Sequence, residues 1–386
     1  MSGLDNENTS GCVIQSWDDL NLNTDLLRGV YATGFESPSE IQKRAILPII
    51  EGNDVIAQAQ SGTGKTGTFT ISTLQKVDIT DNSLQAVIIA PTQELSRQIY
   101  TVFLKFSEFM NNLKIQLLVG GTSVQNDIEN LQNATPHIVI GCSGRIFDMI
   151  KRRHLQLHTV KLFVLDEADE MLSQGFKEQI YNIFQYFSDS VQVAIFSATL
   201  PREVLQVTDK FMKDPVNITL KRENLSLDGI EQQFIAVYND SEKFDMLKKL
   251  FEQLTISQSI IYTNNVKRVI DLYDAMIREG FPVCCMHSSM EKDKRNQTLD
   301  DFRMGKYRVL ISSNVTARGI DIQQVGTVIN FDIPRCVHTY LHRIGRSGRW
   351  GRKGFAINFV TEDDIHIMKR IESHYSISIK ELSFGN

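Results

Sequence analysis

Ala59-Gln60-Ser61-Gly62-Thr63-Gly64-Lys65-Thr66 lies between an apolar run, Asp54 to Ala57, and a helix-compatible segment, Gly67 to Val77. The run predicts a buried strand, so the glycine-rich stretch reads as a strand-to-helix turn. Such a turn frees backbone N–H groups to point at one spot, and the helix N-terminus adds partial positive charge. Ser61, Gly62, Thr63 and Gly64 would form this phosphate cradle. Lys65 can reach the outer phosphates, and the Thr66 hydroxyl suits Mg²⁺. The G-x-x-x-x-G-K-[ST] spacing, with Ala59 at its first position, after a strand marks a nucleotide-driven protein and leaves open which kind.

Upstream, Trp17 to Leu27 has apolar residues at helical spacing, and Gly34 breaks it. Gly34-Phe35-Glu36-Ser37-Pro38-Ser39-Glu40-Ile41-Gln42 follows. A primary amide both donates and accepts, matching the N6/N7 edge of adenine, and an aromatic face can cover the ring. Phe35 and Gln42 are therefore candidate purine contacts.

Downstream, Gln85 to Ala90 predicts a second buried strand ended by Pro91, and Thr92 is a cap-like start to a helix. Ile115 to Val119 precedes Gly120-Gly121, and His137 to Gly141 reads as another strand. Leu162 to Leu165 delivers Asp166-Glu167-Ala168-Asp169; Val191 to Phe196 delivers Ser197-Ala198-Thr199. Strands alternating with helical segments indicate a doubly wound parallel sheet, whose functional loops gather beyond the carboxyl ends of its strands. Asp166 is the expected Mg²⁺ partner, and Glu167 is placed to orient or deprotonate an attacking water.

The polar stretch Lys221 to Gly229 reads as a linker. A second series of strands follows at Ser259 to Thr263, Val283 to Met286, Val309 to Ser312 and Val325 to Phe331. This half has no phosphate loop. It carries Ala317-Arg318-Gly319-Ile320-Asp321 and His342-Arg343-Ile344-Gly345-Arg346-Ser347-Gly348-Arg349. Arginines beside glycines suit close approach to a polyanion, and an arginine brought to a γ-phosphate stabilises the charge that develops in transfer.

The 386 residues suit two α/β domains with a core each. The expected division is a disordered tail at 1–16, a first domain at 17–220, a linker at 221–229 and a second domain at 230–386. A hydrophobic content of 42% and a charged content of 23% are ordinary for a globular chain. No run approaches the ~18 apolar residues of a membrane span. Cys12, Cys142, Cys284, Cys285 and Cys336 form no C-x-x-C pair, which predicts free thiols in a reducing cytoplasm or nucleus. The net charge of −5 argues against bulk electrostatic attraction to nucleic acid, leaving a local groove as the route to it.

In this order the motifs resemble the DEAD-box RNA helicases of superfamily two, from about Trp17 to the C-terminus. Asp166-Glu167-Ala168-Asp169 is that family's naming motif. The tract Trp350 to Asp364 and the compact length are similar to the translation initiation factor four-A type. The resemblance implies two tandem RecA-like domains that bind ATP and Mg²⁺ between them. Trp17 would be an upstream aromatic of the nucleotide site, and Gly319 and Asp321 would meet the nucleotide from the second domain. Arg346 and Arg349 would act as arginine fingers. Ser197, Thr199 and His342 would couple hydrolysis to strand separation. RNA would lie across both domains, held by its backbone near Pro91, Thr92, Gly121, Gly144, Arg145, Arg295 and Arg318. A protein scaffold or activator and a monomeric, cytoplasmic chain are also implied.

Every position matched to ATP chemistry is intact, whereas RNA-facing motifs depart from the family. Gln93 replaces an arginine, Cys142-Ser143 replaces Thr-Pro, Asn265 replaces a phosphate-binding threonine, and Lys292 replaces a glutamine. Charge-assisted phosphate contacts are roughly twice as strong as neutral ones, so weaker RNA affinity or altered coupling is expected. The leading expectation is an ATP-dependent RNA helicase. The alternatives are an ATP-locked RNA clamp serving as a protein platform and a DNA-directed motor of the same superfamily. A GTPase is disfavoured because no guanine-reading Asn-Lys-x-Asp is present.

Overall fold

The computed structural model describes residues 14–59, 62–173, 176–200, 202–220, 230–253, 258–316, 325–347 and 354–382. The chain divides into two compact units, one of residues 1–59 and 63–220, the other built on residues 221–386.

The first unit begins with helices α1 (Thr24–Ala32) and α2 (Glu40–Ile50), then strand β1 (Val55–Gln58) and α3 (Lys65–Lys76). It continues through β2 (Ala86–Ile89), α4 (Gln93–Phe106), β3 (Ile115–Leu118), α5 (Val124–Asn133), β4 (Ile138–Gly141) and α6 (Ser143–Lys151). It closes with β5 (Leu162–Leu165), α7 (Ala168–Ser173), α8 (Lys177–Phe184), β6 (Gln192–Ser197), α9 (Arg202–Phe211) and β7 (Val216–Thr219). The strands form one parallel sheet in the order β3-β4-β2-β5-β6-β1-β7.

Successive strand residues face opposite sides of a sheet, so burying both faces needs nearly continuous apolar strands. Val55 and Ala57 of β1 enter a core shared with α1 to α4, while Ile56 enters a second core with α5 to α9. β5 and β6 insert between β2 and β1. That insertion makes the loops after β5, β6 and β1 neighbours, although they lie far apart in the chain.

The second unit repeats the plan with β8 (Ile230–Ala236), α10 (Asp240–Gln253), β9 (Gln258–Tyr262), α11 (Val266–Arg278), β10 (Val283–Met286), α12 (Lys292–Arg303) and β11 (Val309–Ser312). β12 (Val325–Asn330), α13 (Val337–Ile344), β13 (Gly354–Val360), α14 (Ile365–Tyr375) and β14 (Lys380–Glu381) complete it. Its parallel sheet runs β10-β11-β9-β12-β13-β8-β14, again with a core on each face.

The strands expected from sequence appear with shifts of a residue or so at their ends. β7, β8, β13 and β14 were not anticipated, because their apolar patterns are short or broken by polar residues. The helical stretch expected over Trp17 to Leu27 is divided. A 3₁₀ turn covers Trp17–Leu20, Asn21 takes φ +46°, and α1 starts only at Thr24. Residues just before Trp17 also pack into the first unit: Ile14 is buried in its core, and Ser16 caps the 3₁₀ turn with Asp19.

Candidate active site

The turn after β1 is shaped by its glycines. Gly62 and Gly64 take φ +86° and +104°, a left-handed backbone that favours glycine. At Gly64 space is also lacking, since a Cβ would lie 2.7 Å from Ser39 Oγ and 2.9 Å from Gln42 Nε2. Gly64 caps α3, so Lys65 and Thr66 occupy its first turn. Thr66 is half-buried and Thr63 partly exposed, while Ser61 lies outside the described residues.

Lys65 is buried, and its Nζ lies 3.7 Å from Glu167 Oε1, too far for a hydrogen bond. Among the described residues the ammonium has no hydrogen-bond acceptor. An ammonium withdrawn from water without acceptors is costly, and a phosphate oxygen would supply them.

Asp166 and Glu167 follow β5 and are 2% and 4% exposed. Burial pushes the Asp166 carboxyl up to about 7; Lys65 opposes the rise, and the Glu167 and Asp169 charges add to it. Asp166 Oδ1 accepts the Glu167 N–H at 2.9 Å, and Glu167 itself takes φ +50°. For a residue with a Cβ this conformation costs on the order of 1 kcal/mol. Buried carboxylates beside one another suit a hard divalent cation with oxygen ligands. The donor set of Asp166 and Thr66 therefore fits Mg²⁺, and the glycine turn with Lys65 fits the phosphates beside it.

The loop after β6 is tied to the acidic segment. Ser197 Oγ accepts the Asp169 N–H at 3.2 Å and donates to the Thr199 carbonyl at 2.6 Å. Thr199 Oγ1 donates to Asp169 Oδ2 at 2.9 Å. The Ala59 N–H donates to the Ser197 carbonyl at 3.0 Å, bringing the start of the phosphate turn into the same network.

Phe35 is half-buried, stands edge-on to Phe106 at 5.1 Å, and would lie 3.4 Å from a Cβ on Gly67. Gln42 is 1% exposed and partly engaged: Oε1 accepts the Ser39 N–H at 2.7 Å and Nε2 donates to the Gly64 carbonyl at 3.3 Å. A second amide proton and lone pair remain for a purine edge. Trp17 is placed differently from expectation. Its ring is fully buried, and its Nε1 donates to the Phe35 carbonyl at 2.8 Å. A side chain with no exposed face supports Phe35 and offers a nucleotide nothing to stack on.

The RNA-directed candidates of the first unit share the ends of β2, β3 and β4. Pro91 is buried, and Thr92 Oγ1 caps α4 by accepting the Leu95 N–H at 3.2 Å. Gly121 and Gly144 are exposed. Arg145, expected to face RNA, turns inward instead, paired with Asp127 and bonded to Thr122, with a side chain 8% exposed. Cys142 Sγ lies 3.4 Å from Ser96 Oγ, and burial pushes its thiol up to about 11. Ser143 Oγ donates to Gln179 Oε1 at 2.9 Å, tying α6 to α8.

In the second unit Asn265 caps α11, its Oδ1 accepting the Arg268 N–H at 3.0 Å. Lys292 and Arg295 lie in the first turn of α12, with Arg295 half-buried. His342 is buried near the end of α13, and its carbonyl accepts from Arg346 Nε at 3.3 Å. Arg318, Gly319, Asp321 and Arg349 lie outside the described residues.

Sequence reasoning passed over Arg343. It is fully buried, and its guanidinium donates to Asn314 Oδ1 at 2.7 and 2.9 Å, Asn264 Oδ1 at 2.9 Å, Asn330 Oδ1 at 3.1 Å and the Asp332 carbonyl at 2.8 Å. Burial pushes its pKa down to about 10, opposed by Tyr262 and Asp332. The asparagines just past β9, β11 and at the end of β12 were the available signal.

Residues 39–207 match the DEAD/DEAH box helicase family model, and residues 242–351 match the helicase conserved C-terminal domain. The chain belongs to the DEAD-box helicases. Curated relatives of this helicase include the ATP-dependent RNA helicases eIF4A of Chaetomium globosum and Neurospora crassa. Each is 52% identical over 369 residues, covering 96% of this chain and 92% of the relative. Among solved structures, S. cerevisiae Dbp5 bound to RNA and ADP BeF3 aligns with a TM-score of 0.88 at 36% identity, covering 95% of both chains. Mss116p bound to ssRNA and AMP-PNP aligns with a TM-score of 0.85 at 26% identity, over 96% of this helicase and 79% of that chain. The seven-stranded parallel sheets are thus the tandem RecA-like folds of DEAD-box helicases.

Proposed function

We propose that this DEAD-box helicase is an ATP-dependent RNA helicase of the eIF4A type, coupling ATP binding and hydrolysis to local opening of RNA duplexes or remodelling of ribonucleoproteins. One observation carries the reading: among the described residues the buried Lys65 ammonium has no hydrogen-bond acceptor, 3.7 Å from Glu167, in the first turn after the glycine turn. Names borne by relatives at 52% identity over nearly the whole chain support it.

In the proposed mechanism Phe35 covers the purine and Gln42 reads its edge. The contact from Gln42 to the Gly64 carbonyl links purine occupancy to the phosphate turn. Lys65 and the α3 N-terminus hold the outer phosphates. Thr66 and Asp166 would hold Mg²⁺, which when bound neutralises charge developing on the phosphates. Glu167 orients the attacking water and takes its proton. Ser197 and Thr199 transmit the state of the acidic segment through their bonds to Asp169. The roles of Gly319, Asp321, His342, Arg346 and Arg349 toward the nucleotide, and of Arg295 and Arg318 toward RNA, rest on the family resemblance.

RNA is the proposed polymer, bound by its backbone with little sequence choice. A role in translation initiation, a protein scaffold, a monomeric state and cytoplasmic location accompany this reading. Among the described residues no helix is long and apolar enough to cross a membrane.

Steady-state ATP hydrolysis with and without single-stranded RNA tests the proposal, with Glu167→Gln as control. Stimulation by RNA that disappears in Glu167→Gln is the expected result. Nucleotide and RNA binding without turnover would favour the ATP-locked clamp, and stronger stimulation by DNA the DNA motor. Failure to bind nucleotide at all would overturn the reading.

A further inference from the structure

The first sheet ends at β3, which is bonded on one side only, to β4. Three of its four residues, Ile115, Gln116 and Leu117, are half-buried. Beside it a cleft of about 640 Å³ is walled by Tyr100, Leu104, Met110, Leu113 and Ile115. An edge strand with so little packed on its outer side belongs to the part of a fold that opens most readily. His137, fully buried, ties the start of this strand to its neighbours. The Lys114 carbonyl accepts the His137 N–H at 2.9 Å and the Ile138 N–H at 3.2 Å, and the His137 carbonyl accepts the Gln85 and Ala86 N–H groups at 2.8 and 3.1 Å. The ring adds a further link, because His137 Nδ1 accepts the Lys114 N–H at 3.1 Å.

That last bond fixes the protonation of the ring. A nitrogen that accepts carries no proton, so the neutral ring has its proton on Nε2, which has no acceptor among the described residues. A second proton would go to Nδ1, setting it against the Lys114 N–H and burying a charge. The charged groups that face the ring are Lys114 on β3 and Asp78 and Asp81 between α3 and β2. Both carboxylates are engaged elsewhere: Asp78 Oδ1 accepts from the Thr80 N–H and hydroxyl at 2.9 and 2.7 Å, and Asp81 pairs with Lys161 at 3.4 Å. Burial first and then Lys114 push His137 below the ordinary histidine value, with Asp81 and Asp78 opposing. We propose that His137 is an acid-released latch on the free edge of the first sheet: its neutral ring holds the start of β3 to β4, and a proton on Nδ1 breaks that hold, so that β3 opens locally while the other strands stay folded.

Closed β3 admits only the neutral ring, whereas the opened segment titrates near the ordinary value of about 6.5. Stability of the edge is therefore full above that pH and is lost as pH falls below it. The opened state gains about tenfold in weight between pH 7.5 and pH 5.5. Hydrogen exchange of the full chain, read by mass spectrometry and divided by the intrinsic rate at each pH, measures this for Ile115–Leu118. The expected result is protection about tenfold lower at pH 5.5 than at pH 7.5 in β3, with β2 and β5 unchanged. His137→Asn puts an amide oxygen near the place of Nδ1 to accept the Lys114 N–H and does not titrate, so its β3 protection is expected to be independent of pH. Wild-type β3 protection that does not change with pH would overturn the proposal, as would an equal pH step in His137→Asn or a loss shared by all the strands. Should His137→Asn fail to melt cooperatively, NMR of the wild-type His137 ring decides. A neutral ring protonated on Nε2 at pH 5.5 is expected, and titration at the ordinary value would overturn the latch. Neither readout involves nucleotide or RNA, so the outcome is independent of the proposed helicase activity.

Discussion

The indole Nε1 of Trp17 donates a 2.8 Å hydrogen bond to the carbonyl of Phe35, and the Trp17 ring is fully buried. On the proposed reading, an aromatic ahead of the phosphate turn would thus act on the candidate nucleotide site through its neighbour. Replacing Trp17 by Phe removes the bond and leaves a carbonyl short of a partner, at a cost of about 1–3 kcal/mol in stability. Weaker nucleotide binding should accompany it as Phe35 loosens. In a Trp350→Phe background, Trp17 fluorescence should resist acrylamide quenching and respond little to ATP. Strong quenching by ATP would place the ring against the purine instead.

Arg343 is expected to be a structural pin of the second unit. Arg343→Lys replaces a fork reaching Asn264, Asn314 and Asn330 with a single ammonium. Several buried acceptors lose their donor, so a loss of about 3 kcal/mol or more in stability is expected. Thermal unfolding measures it, and a wild-type melting temperature would remove the pin from the account.

Cysteine chemistry supplies the pH prediction. Burial pushes Cys142 up to about 11 and Cys284 up to about 12. Because the folded thiols ionise later than the unfolded ones, stability from these groups is full below pH ~9 and declines as pH rises toward the folded values. At pH 8 the Cys142 thiolate fraction is about a hundredfold below that of an ordinary thiol, so alkylation should be correspondingly slow. Cys336 is exposed and should label before either. Mass-spectrometric labelling rates check the order; early modification of Cys142 would contradict it.

The neutral residue at position 93 should have a measurable signature. Gln93→Arg adds a cation at the candidate RNA face, where the amide now lies against Gly120. Tighter RNA binding with a salt slope steeper by about 0.7 is expected. An unaltered slope would show that position 93 faces the loop whichever residue fills it.

Much of the candidate site is local in origin and therefore legible in the linear chain. Gly62 to Thr66 make a phosphate turn because strand, glycines, lysine and helix start are consecutive. Asp166 and Ser197 each follow an apolar run long enough to be a buried strand. Thr92 caps α4 from its place just before the helix. Periodicity and short-range hydrogen bonding decide such features, and resemblance adds the order of the motifs.

The direction in which a side chain points belongs to packing, which no short window contains. Insertion of β5 and β6 between β2 and β1 brings Lys65 to Glu167 across about a hundred residues of chain. Arg145 faces inward because Asp127 waits on a neighbouring helix, and Trp17 is buried because Phe35 offers a carbonyl above the core. Arg343 is indistinguishable in sequence from the arginines beside it until three strands deliver their asparagines around it. Sequence by itself determined which chemical groups this helicase has and on which loops they lie. Tertiary structure alone decided which of them are spent on one another, since burial and partners at long range set whether a charge is free to meet a ligand.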